Sequence, residues 1–150
     1  MGYYSTLVRC DSFVSDLPEE EFRKRWEEFK REVFGHMDNN ECARTYDGPL
    51  DIYDWLAEKR DDGKTVYTVC MDEYCTTHYY IGRLVEFISK VIDGNDSCIL
   101  ELVGEDGDLG GWYIRRGSVE PIKYVRMVGC DVALREKNGK LSIYGLYKGR

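Results

Sequence analysis

The sequence predicts one α+β domain spanning residues 1–150, with three helices packed on one face of a mostly antiparallel sheet. Three observations lead to this class. The chain has 150 residues, of which 43% are apolar, and this suits a single domain with a sizeable core. Apolar residues recur with helical spacing only in the first 92 residues. From residue 97 onward, the β-branched and aromatic content is that of strands.

The chain begins with a predicted strand and a long amphipathic helix. Residues 3–10 are rich in β-forming side chains and predict the first strand. Pro18 suits the first turn of a helix and Gly35 suits its end, so we expect a helix between them. An apolar stripe marks the buried face of this helix, and it consists of Phe22, Trp26, Phe29 and Val33.

Two further helices are predicted, separated by a turn and a strand. Residues 36–48 are polar and irregular and predict a loop. Pro49 opens a short second helix, and the apolar residues that we expect on one side of it are Ile52, Trp55 and Leu56. The stretch RDDGK predicts a turn, and residues 65–71 predict a buried or half-buried strand. A third helix is expected over residues 78–92, because its apolar positions again have helical spacing.

The last third of the chain predicts strands only. Asn138-Gly139 is typical of a two-residue hairpin turn. The predicted strands cover residues 97–104, 110–116, 121–128, 131–137 and 140–148. We find no internal repeat, low-complexity segment or linker, so the whole chain is expected to fold as one unit.

Composition restricts the setting in which the protein works. No stretch approaches the roughly 20 apolar residues of a membrane-spanning helix. The first residues also lack the basic and apolar regions of a secretory signal. These features predict a cytoplasmic protein without a membrane partner. The chain has no glutamine and 33% charged residues, a composition typical of thermophilic proteins.

The stretch CMDEYCTTH places two cysteines and a histidine within nine residues and allows three interpretations. Cys70, Cys75 and His78 are possible zinc ligands, although the paired C-x₂-C spacing of most zinc modules is missing. Alternatively, Cys75 is a reactive thiol near a helix N-terminus, with His78 as its base. In the third interpretation, these residues only join a strand to a helix, and the cysteines are core residues.

The chain contains six cysteines, and a disulfide is a further prediction. Cys70 ends one predicted strand and Cys98 begins another, so they could be bridged if those strands are antiparallel neighbours. A bridge between Cys70 and Cys75 would instead close a short loop. The sequence leaves both pairings open.

Charge is distributed unevenly along the chain. Residues 1–111 contain 12 basic and 25 acidic side chains, whereas residues 112–150 contain 9 basic and 3 acidic ones. Aromatic residues alternate with the cations of the basic section, a pattern typical of surfaces that bind single-stranded nucleic acid. The predicted binding residues are Trp112, Tyr113, Arg115, Arg116, Lys123, Arg126 and Tyr144. The acidic helical section could instead contact a basic protein surface.

Two stretches resemble a group of known sequences. The start MGYYS and the run GEDGDLGGWYIRRGSVE are similar to small phage and mobile-element proteins, which often begin with MGYY or MGY and carry a strand–turn–strand of the form GEDG…W-Y. The chain departs from that pattern in its Gly110-Gly111 pair and its cysteine content. The resemblance implies a viral or mobile-element origin, and it implies neither an activity nor a site.

No catalytic constellation is complete in the sequence. There is no P-loop and no dinucleotide-binding glycine pattern, and only two histidines are present. We therefore expect a small non-catalytic binding or inhibitor module, without a cofactor, that acts on a protein partner. A nucleic-acid-binding protein that uses residues 112–150 is the alternative. A metal- or thiol-dependent enzyme built on Cys70, Cys75 and His78 is the third hypothesis.

Overall fold

A computed structural model describes residues 4–34, 54–70, 75–127, 130–137 and 140–148. The described chain forms two helices and eleven strands. The helices are α1 (Glu19–Phe34) and α2 (His78–Val91). The strands are β1 (Tyr4–Cys10), β2 (Phe13–Ser15), β3 (Asp54–Lys59), β4 (Thr65–Cys70), β5 (Cys75–Thr77), β6 (Cys98–Gly104), β7 (Leu109–Arg115), β8 (Ser118–Pro121), β9 (Lys123–Met127), β10 (Cys130–Lys137) and β11 (Lys140–Lys148).

The strands form three separate antiparallel sheets. The first sheet has the strand order β5-β1-β6-β7-β8, the second has β2-β4-β3, and the third has β11-β10-β9. The prediction of three helices on one face of a single sheet is therefore wrong. The described residues contain two helices, and strands dominate the fold. Antiparallel pairing was predicted correctly, since each strand pair in the described residues is antiparallel.

The predicted second helix is the main error in the secondary structure. Residues 54–59 form β3, where Trp55 is 2% exposed and its neighbour Leu56 is 64% exposed. This alternation is that of a strand, whereas a helix would have brought both side chains to one side. Trp55 pairs with Val69 of β4, so tertiary pairing decides the conformation of this segment. The remaining residues of the predicted helix and the predicted loop 36–48 lie outside the described residues.

The two long helices agree with their predicted apolar patterns. Phe22, Trp26 and Phe29 of the α1 stripe are buried, while the side chain of Val33 is not among those described. The buried face of α2 consists of Ile81, Leu84, Val85 and Ile88. Three short strands, β2, β5 and β8, were not predicted, because three or four residues carry too little alternation to be recognised.

The main core is aromatic and lies between the helices, the second sheet and one face of the first sheet. Phe22 stacks on Tyr67 with ring centroids 3.6 Å apart and meets Trp55 edge-on at 5.6 Å. Phe13 and Phe87 complete the contacts around Phe22. Edge-on and offset aromatic pairs are favourable beyond the apolar area that they bury. We call the side of the first sheet that faces this core its helical face.

A second, much smaller core lies on the opposite side of the first sheet, which we call its outer face. Its buried residues are Ile99 of β6, Ile122 between β8 and β9, and Ala133 of β10. Tyr113 and Tyr124 pack against them. Tyr124 and Ala133 are paired across β9 and β10. The third sheet therefore covers part of the outer face of the first sheet.

Candidate functional site

A β-bulge at Val8 determines which side chains of β1 face each side of the first sheet. Leu7 pairs with Leu102, and Arg9 pairs with Glu101, so Val8 is an extra residue without a partner in this register. Without the bulge, Leu7 and Arg9 would lie on the same face, because side chains two residues apart in a strand do so. With it, Leu7 lies in the main core and Arg9 lies beside Glu101 on the outer face.

Glu101 is a buried carboxylate between the first and third sheets. Its side chain is 1% exposed, and it interrupts the apolar strand CILELVG. Arg9 Nη1 donates a hydrogen bond to Glu101 Oε1 at 3.2 Å, and the Tyr124 hydroxyl donates to Oε2 at 2.6 Å. A buried charge is costly unless it is paired and hydrogen-bonded. The guanidinium and the hydroxyl together give each carboxylate oxygen of Glu101 a hydrogen-bond donor.

A glycine makes the hydrogen bond from Tyr124 possible. Gly111 of β7 pairs with Glu101, so the two residues lie side by side on the outer face. A Cβ atom at position 111 would be 2.5 Å from the Tyr124 hydroxyl oxygen and 2.7 Å from the backbone oxygen of Leu100. Any larger residue would therefore move Tyr124 away from the carboxylate.

Arg9 also binds a second carboxylate. Its Nε donates to Asp11 Oδ1 at 2.8 Å and its Nη2 donates to Oδ2 at 3.3 Å. Asp11 Oδ2 also accepts a hydrogen bond from the backbone N–H of Ile99 at 3.0 Å. We call Arg9, Asp11, Glu101 and Tyr124 the carboxylate network. Tyr124 belongs to the third sheet, so its hydrogen bond to the almost fully buried Glu101 joins the first and third sheets.

A pair of thiols lies beside this network, on the helical face of the first sheet. Cys98 Sγ donates to the backbone oxygen of Asp11 at 3.3 Å, and Cys10 Sγ donates to the same oxygen at 3.8 Å. Cys98 is fully buried, and Cys10 is partly exposed. The hydrogen bond with the Cys10 thiol, together with burial, raises the pKa of Cys98 well above the ordinary range.

The sequence pointed to Cys70, Cys75 and His78 instead. Cys70 ends β4 in the second sheet, Cys75 begins β5 in the first sheet, and His78 begins α2. Within the described ranges, no three His, Cys, Asp or Glu side chains lie close enough together to hold a metal ion. The side chains of Cys75 and His78 are not among those described, so the zinc and reactive-thiol hypotheses stay predictions.

Cys70 and Cys98 do not lie on neighbouring antiparallel strands, which their predicted disulfide requires. Both residues have free thiols. The strands that carry them, β4 and β6, belong to different sheets and are not neighbours. The thiol that the fold brings close to Cys98 is that of Cys10, which the sequence did not single out as a partner. The pairing of Cys70 with Cys75 stays a prediction.

The residues predicted to bind nucleic acid lie on several surfaces. Trp112 packs against the main core on the helical face, whereas Tyr113 packs against the second core on the outer face. Arg115 is exposed, and Arg116 forms an ion pair with Asp16 at 3.7 Å. Lys123 is exposed on β9 of the third sheet. The side chains of the remaining two, Arg126 and Tyr144, are not among those described.

Four of the described aliphatic residues lie on the side of the third sheet that faces away from the first. Tyr124 and Ala133 face the second core, so the next pair, Val125 and Val132, faces away from it. Leu134 faces the same way and pairs with Ile143 of β11. Val125 is 45% exposed and Ile143 is 66% exposed, whereas Leu134 is half-buried and Val132 is only 6% exposed. We call Val125, Val132, Leu134 and Ile143 the apolar sheet face.

The acidic character of the first 111 residues does not come from α1. This helix contains six acidic and five basic residues, and its charges form ion pairs along its surface. Glu21 pairs with Arg25 at 3.1 Å, and Glu27 pairs with Lys30 at 3.0 Å. Such exposed pairs leave α1 almost neutral, so its surface has no strong attraction for a basic partner.

The carboxylate network was missed in the sequence, although one signal of it was present. Glu101 is a lone charge in an otherwise apolar strand, and such a residue needs a partner when the strand is buried. Its partners could not be identified, because Arg9 is 92 residues away and Tyr124 is 23 residues away along the chain.

Comparisons with known proteins give no relative for this chain. No family model matches the sequence, and neither a curated protein nor a solved structure shows significant similarity to it. Neither of the described helices is long and apolar enough to cross a membrane. Functional inference therefore rests on the geometry described above.

Proposed function

We propose that the protein is a small cytoplasmic binding or inhibitor module, without catalysis of its own, that acts on a partner protein. The observation that carries this proposal is the apolar sheet face. Val125 and Ile143 are both large, exposed and on the same side of one sheet. Exposed apolar side chains grouped on one face of a sheet are typical of sites that other proteins cover.

The chemistry of this surface favours a protein partner over nucleic acid. Its described side chains are aliphatic, whereas single-stranded nucleic acid stacks on exposed aromatic rings. Tyr113 and Tyr124 contribute to the second core, and Tyr124 also binds Glu101, so their rings do not form an open platform. Aliphatic side chains surrounded by polar ones are typical of the centre of protein–protein interfaces.

Charge around the apolar sheet face suggests the character of the partner. Lys123 is exposed and pairs with Leu134, which places it at the edge of the same face. Residues 112–150 contain 9 basic and 3 acidic side chains, so this part of the protein attracts negative charge. We infer a partner with an apolar strip bordered by acidic groups. Given the viral or mobile-element origin implied by the sequence resemblance, this partner is a host protein.

Photo-crosslinking at matched positions tests the proposal. A photoreactive phenylalanine analogue is incorporated at position 143 or at position 56, and each protein is illuminated in host-cell extract. Ile143 and Leu56 are 66% and 64% exposed but lie in different sheets, so they differ in location and not in accessibility. We expect a discrete protein adduct from position 143 and none from position 56.

The crosslinked protein is then identified, purified and titrated with the unmodified chain. Ile143→Glu should weaken binding at least tenfold, which corresponds to about 1.4 kcal/mol. Leu56→Glu should leave the affinity unchanged. Equal adducts at both positions, or binding that Ile143→Glu does not weaken, would contradict the proposal. Tight binding of a fluorescent single-stranded oligonucleotide that is lost in Arg115→Ala would favour the nucleic-acid alternative instead.

A further inference from the structure

We propose that Cys10 and Cys98 form a redox-active dithiol, which a peroxide or a low-molecular-weight disulfide converts reversibly into a disulfide bond. This site differs from the cysteine cluster at residues 70–78 and does not depend on the proposed function. It is a covalent modification site built from two adjacent strands. Its reactants are small oxidants rather than a macromolecular partner.

The register of the first sheet places the two thiols on the same face. Cys10 of β1 pairs with Leu100 of β6, and Cys98 lies two residues before Leu100 in β6. Residues two apart in a strand share a face, so Cys10 and Cys98 are diagonal neighbours on the helical face. Such neighbours have their backbone positions about 7–8 Å apart, with the side chains somewhat closer.

One backbone oxygen brings the two sulfur atoms together. Both thiols hydrogen-bond the carbonyl oxygen of Asp11, with distances of 3.8 Å for Cys10 and 3.3 Å for Cys98. The Cys10 thiol also raises the pKa of Cys98, as expected for neighbouring thiols. Disulfide formation requires Cα atoms roughly 4.4–6.8 Å apart. The spacing of about 7–8 Å between diagonal neighbours is slightly longer than this, so the end of β1 must move toward β6 for the two sulfurs to bond.

Exposure gives the two thiols different roles. Cys10 is partly exposed and is the sulfur that an oxidant in solution reaches first, whereas Cys98 is fully buried. Because the pKa of Cys98 is raised, it remains a protonated thiol at neutral pH. Cys98 is therefore protected from the oxidant itself, and its proton must be lost as it attacks the oxidised Cys10 sulfur.

The reaction with hydrogen peroxide is balanced in two steps. The Cys10 sulfur attacks one peroxide oxygen, the O–O bond breaks, and the products are a sulfenic acid at Cys10 and one water molecule. The Cys98 sulfur then attacks the Cys10 sulfur, the S–O bond breaks, and the hydroxyl group leaves with the Cys98 proton as a second water molecule. The two sulfurs are oxidised by two electrons in total, and these electrons reduce the peroxide. A small dithiol reductant reverses the modification by thiol–disulfide exchange.

Tryptic mapping can identify this disulfide without ambiguity. Cleavage after lysine and arginine places Cys10 in the peptide 10–23 and Cys98 in the peptide 91–115, and each peptide contains a single cysteine. Reduced protein is treated with hydrogen peroxide, quenched with acid, and alkylated with N-ethylmaleimide in denaturant at mildly acidic pH. We expect the two peptides to appear linked by a disulfide and to separate after reduction.

Three variants control the experiment. Cys70→Ser should retain the linked peptide, whereas Cys10→Ser and Cys98→Ser should each abolish it. Circular dichroism before the treatment establishes that each variant is folded. In the wild-type protein, recovery of both peptides in alkylated form would overturn the proposal. Oxidation of Cys10 to the sulfinic acid, with Cys98 still alkylated, would overturn it as well.

Discussion

The two cores of this protein are stabilised in different ways. Within the described residues, the main core contains 19 buried side chains from both helices and two sheets, with a network of aromatic rings at its centre. Among the same residues, the second core contains Ile99, Ile122 and Ala133, together with two partly buried tyrosines. A hydrogen bond from Tyr124 to the buried Glu101 also joins the third sheet to the first.

Because the two cores differ, the third sheet can keep apolar side chains exposed while the rest of the fold is stable. The first sheet and the helices bury enough area to specify the fold, because hydrophobic stabilisation scales with the area removed from water. The third sheet contributes Ala133 and Tyr124 to the second core and leaves Val125 and Ile143 exposed on its other side. Stability and the proposed binding activity are therefore assigned to different regions, and mutations should separate them.

The largest expected effect comes from truncating the centre of the main core. Phe22 is fully buried and stacks on Tyr67, so Phe22→Ala removes a ring from close packing. We expect the free energy of unfolding to fall by about 3–5 kcal/mol. Urea denaturation measures this loss. Glu28→Ala, on the exposed side of the same helix, should change stability by less than about 0.5 kcal/mol.

The second prediction concerns the link between the sheets. Tyr124→Phe removes the hydrogen bond to the Glu101 carboxylate without changing the ring, and we expect a loss of about 1.5–3 kcal/mol. Amide hydrogen exchange should accelerate in β9 and β10 and remain unchanged in α1. A double-mutant cycle with Glu101→Leu, which has no acceptor, provides the control, since residues in contact show coupling of about 0.5–3 kcal/mol. Additive effects of the two substitutions would contradict a stabilising hydrogen bond between Tyr124 and Glu101.

The third prediction uses two adjacent glycines. A Cβ atom at Gly111 would collide with the Tyr124 hydroxyl and with backbone, so Gly111→Ala should destabilise the protein by about 1–3 kcal/mol. A Cβ atom at Gly110 would meet only the Leu102 side chain at 3.4 Å, which is ordinary contact. Gly110→Ala should therefore leave stability unchanged or raise it by about 0.4–1 kcal/mol. Equal losses in thermal denaturation would refute the close approach at position 111.

The smallest effect is expected from an ion pair that depends on pH. Asp93 accepts a hydrogen bond from Lys64 Nζ at 2.8 Å, and this bond, with one from the backbone N–H of Asn95, lowers the pKa of Asp93. A lowered pKa in the folded state means that the ionised carboxylate stabilises the protein above the unfolded-state pKa of about 3.9. This contribution is lost as the pH falls through the lower, folded-state pKa.

Urea denaturation of the wild-type protein and of Asp93→Asn, at a series of pH values, measures this contribution. The difference in unfolding free energy should be constant at neutral pH and should shrink below about pH 4. Lys64→Met removes the partner and should flatten the acid dependence in the same way. A difference that persists unchanged to low pH would show that the pair does not lower the pKa of Asp93.

The sequence predicted the elements whose patterns are long and missed those that depend on neighbours. In α1 and α2 the apolar spacing extends over several turns, so the helices could be recognised from local residues alone. In β3 the adjacent residues Trp55 and Leu56 fit a helix or a strand, and pairing with β4 decides between them. The carboxylate network and the Cys10–Cys98 pair join residues distant in the chain, which no local pattern can reveal.

The bulge at Val8 makes this position of β1 dispensable in both side chain and length. Val8 is 51% exposed, so many substitutions should be accepted there during evolution. Deletion of Val8 would place Arg9 directly after Leu7, opposite the adjacent residues Glu101 and Leu102, so regular alternation would keep Leu7 and Arg9 on their present faces. Cys10 would likewise stay opposite Leu100, on the face that it shares with Cys98. A single-codon deletion at this position should therefore preserve the carboxylate network and the thiol pair, as a missense change there would.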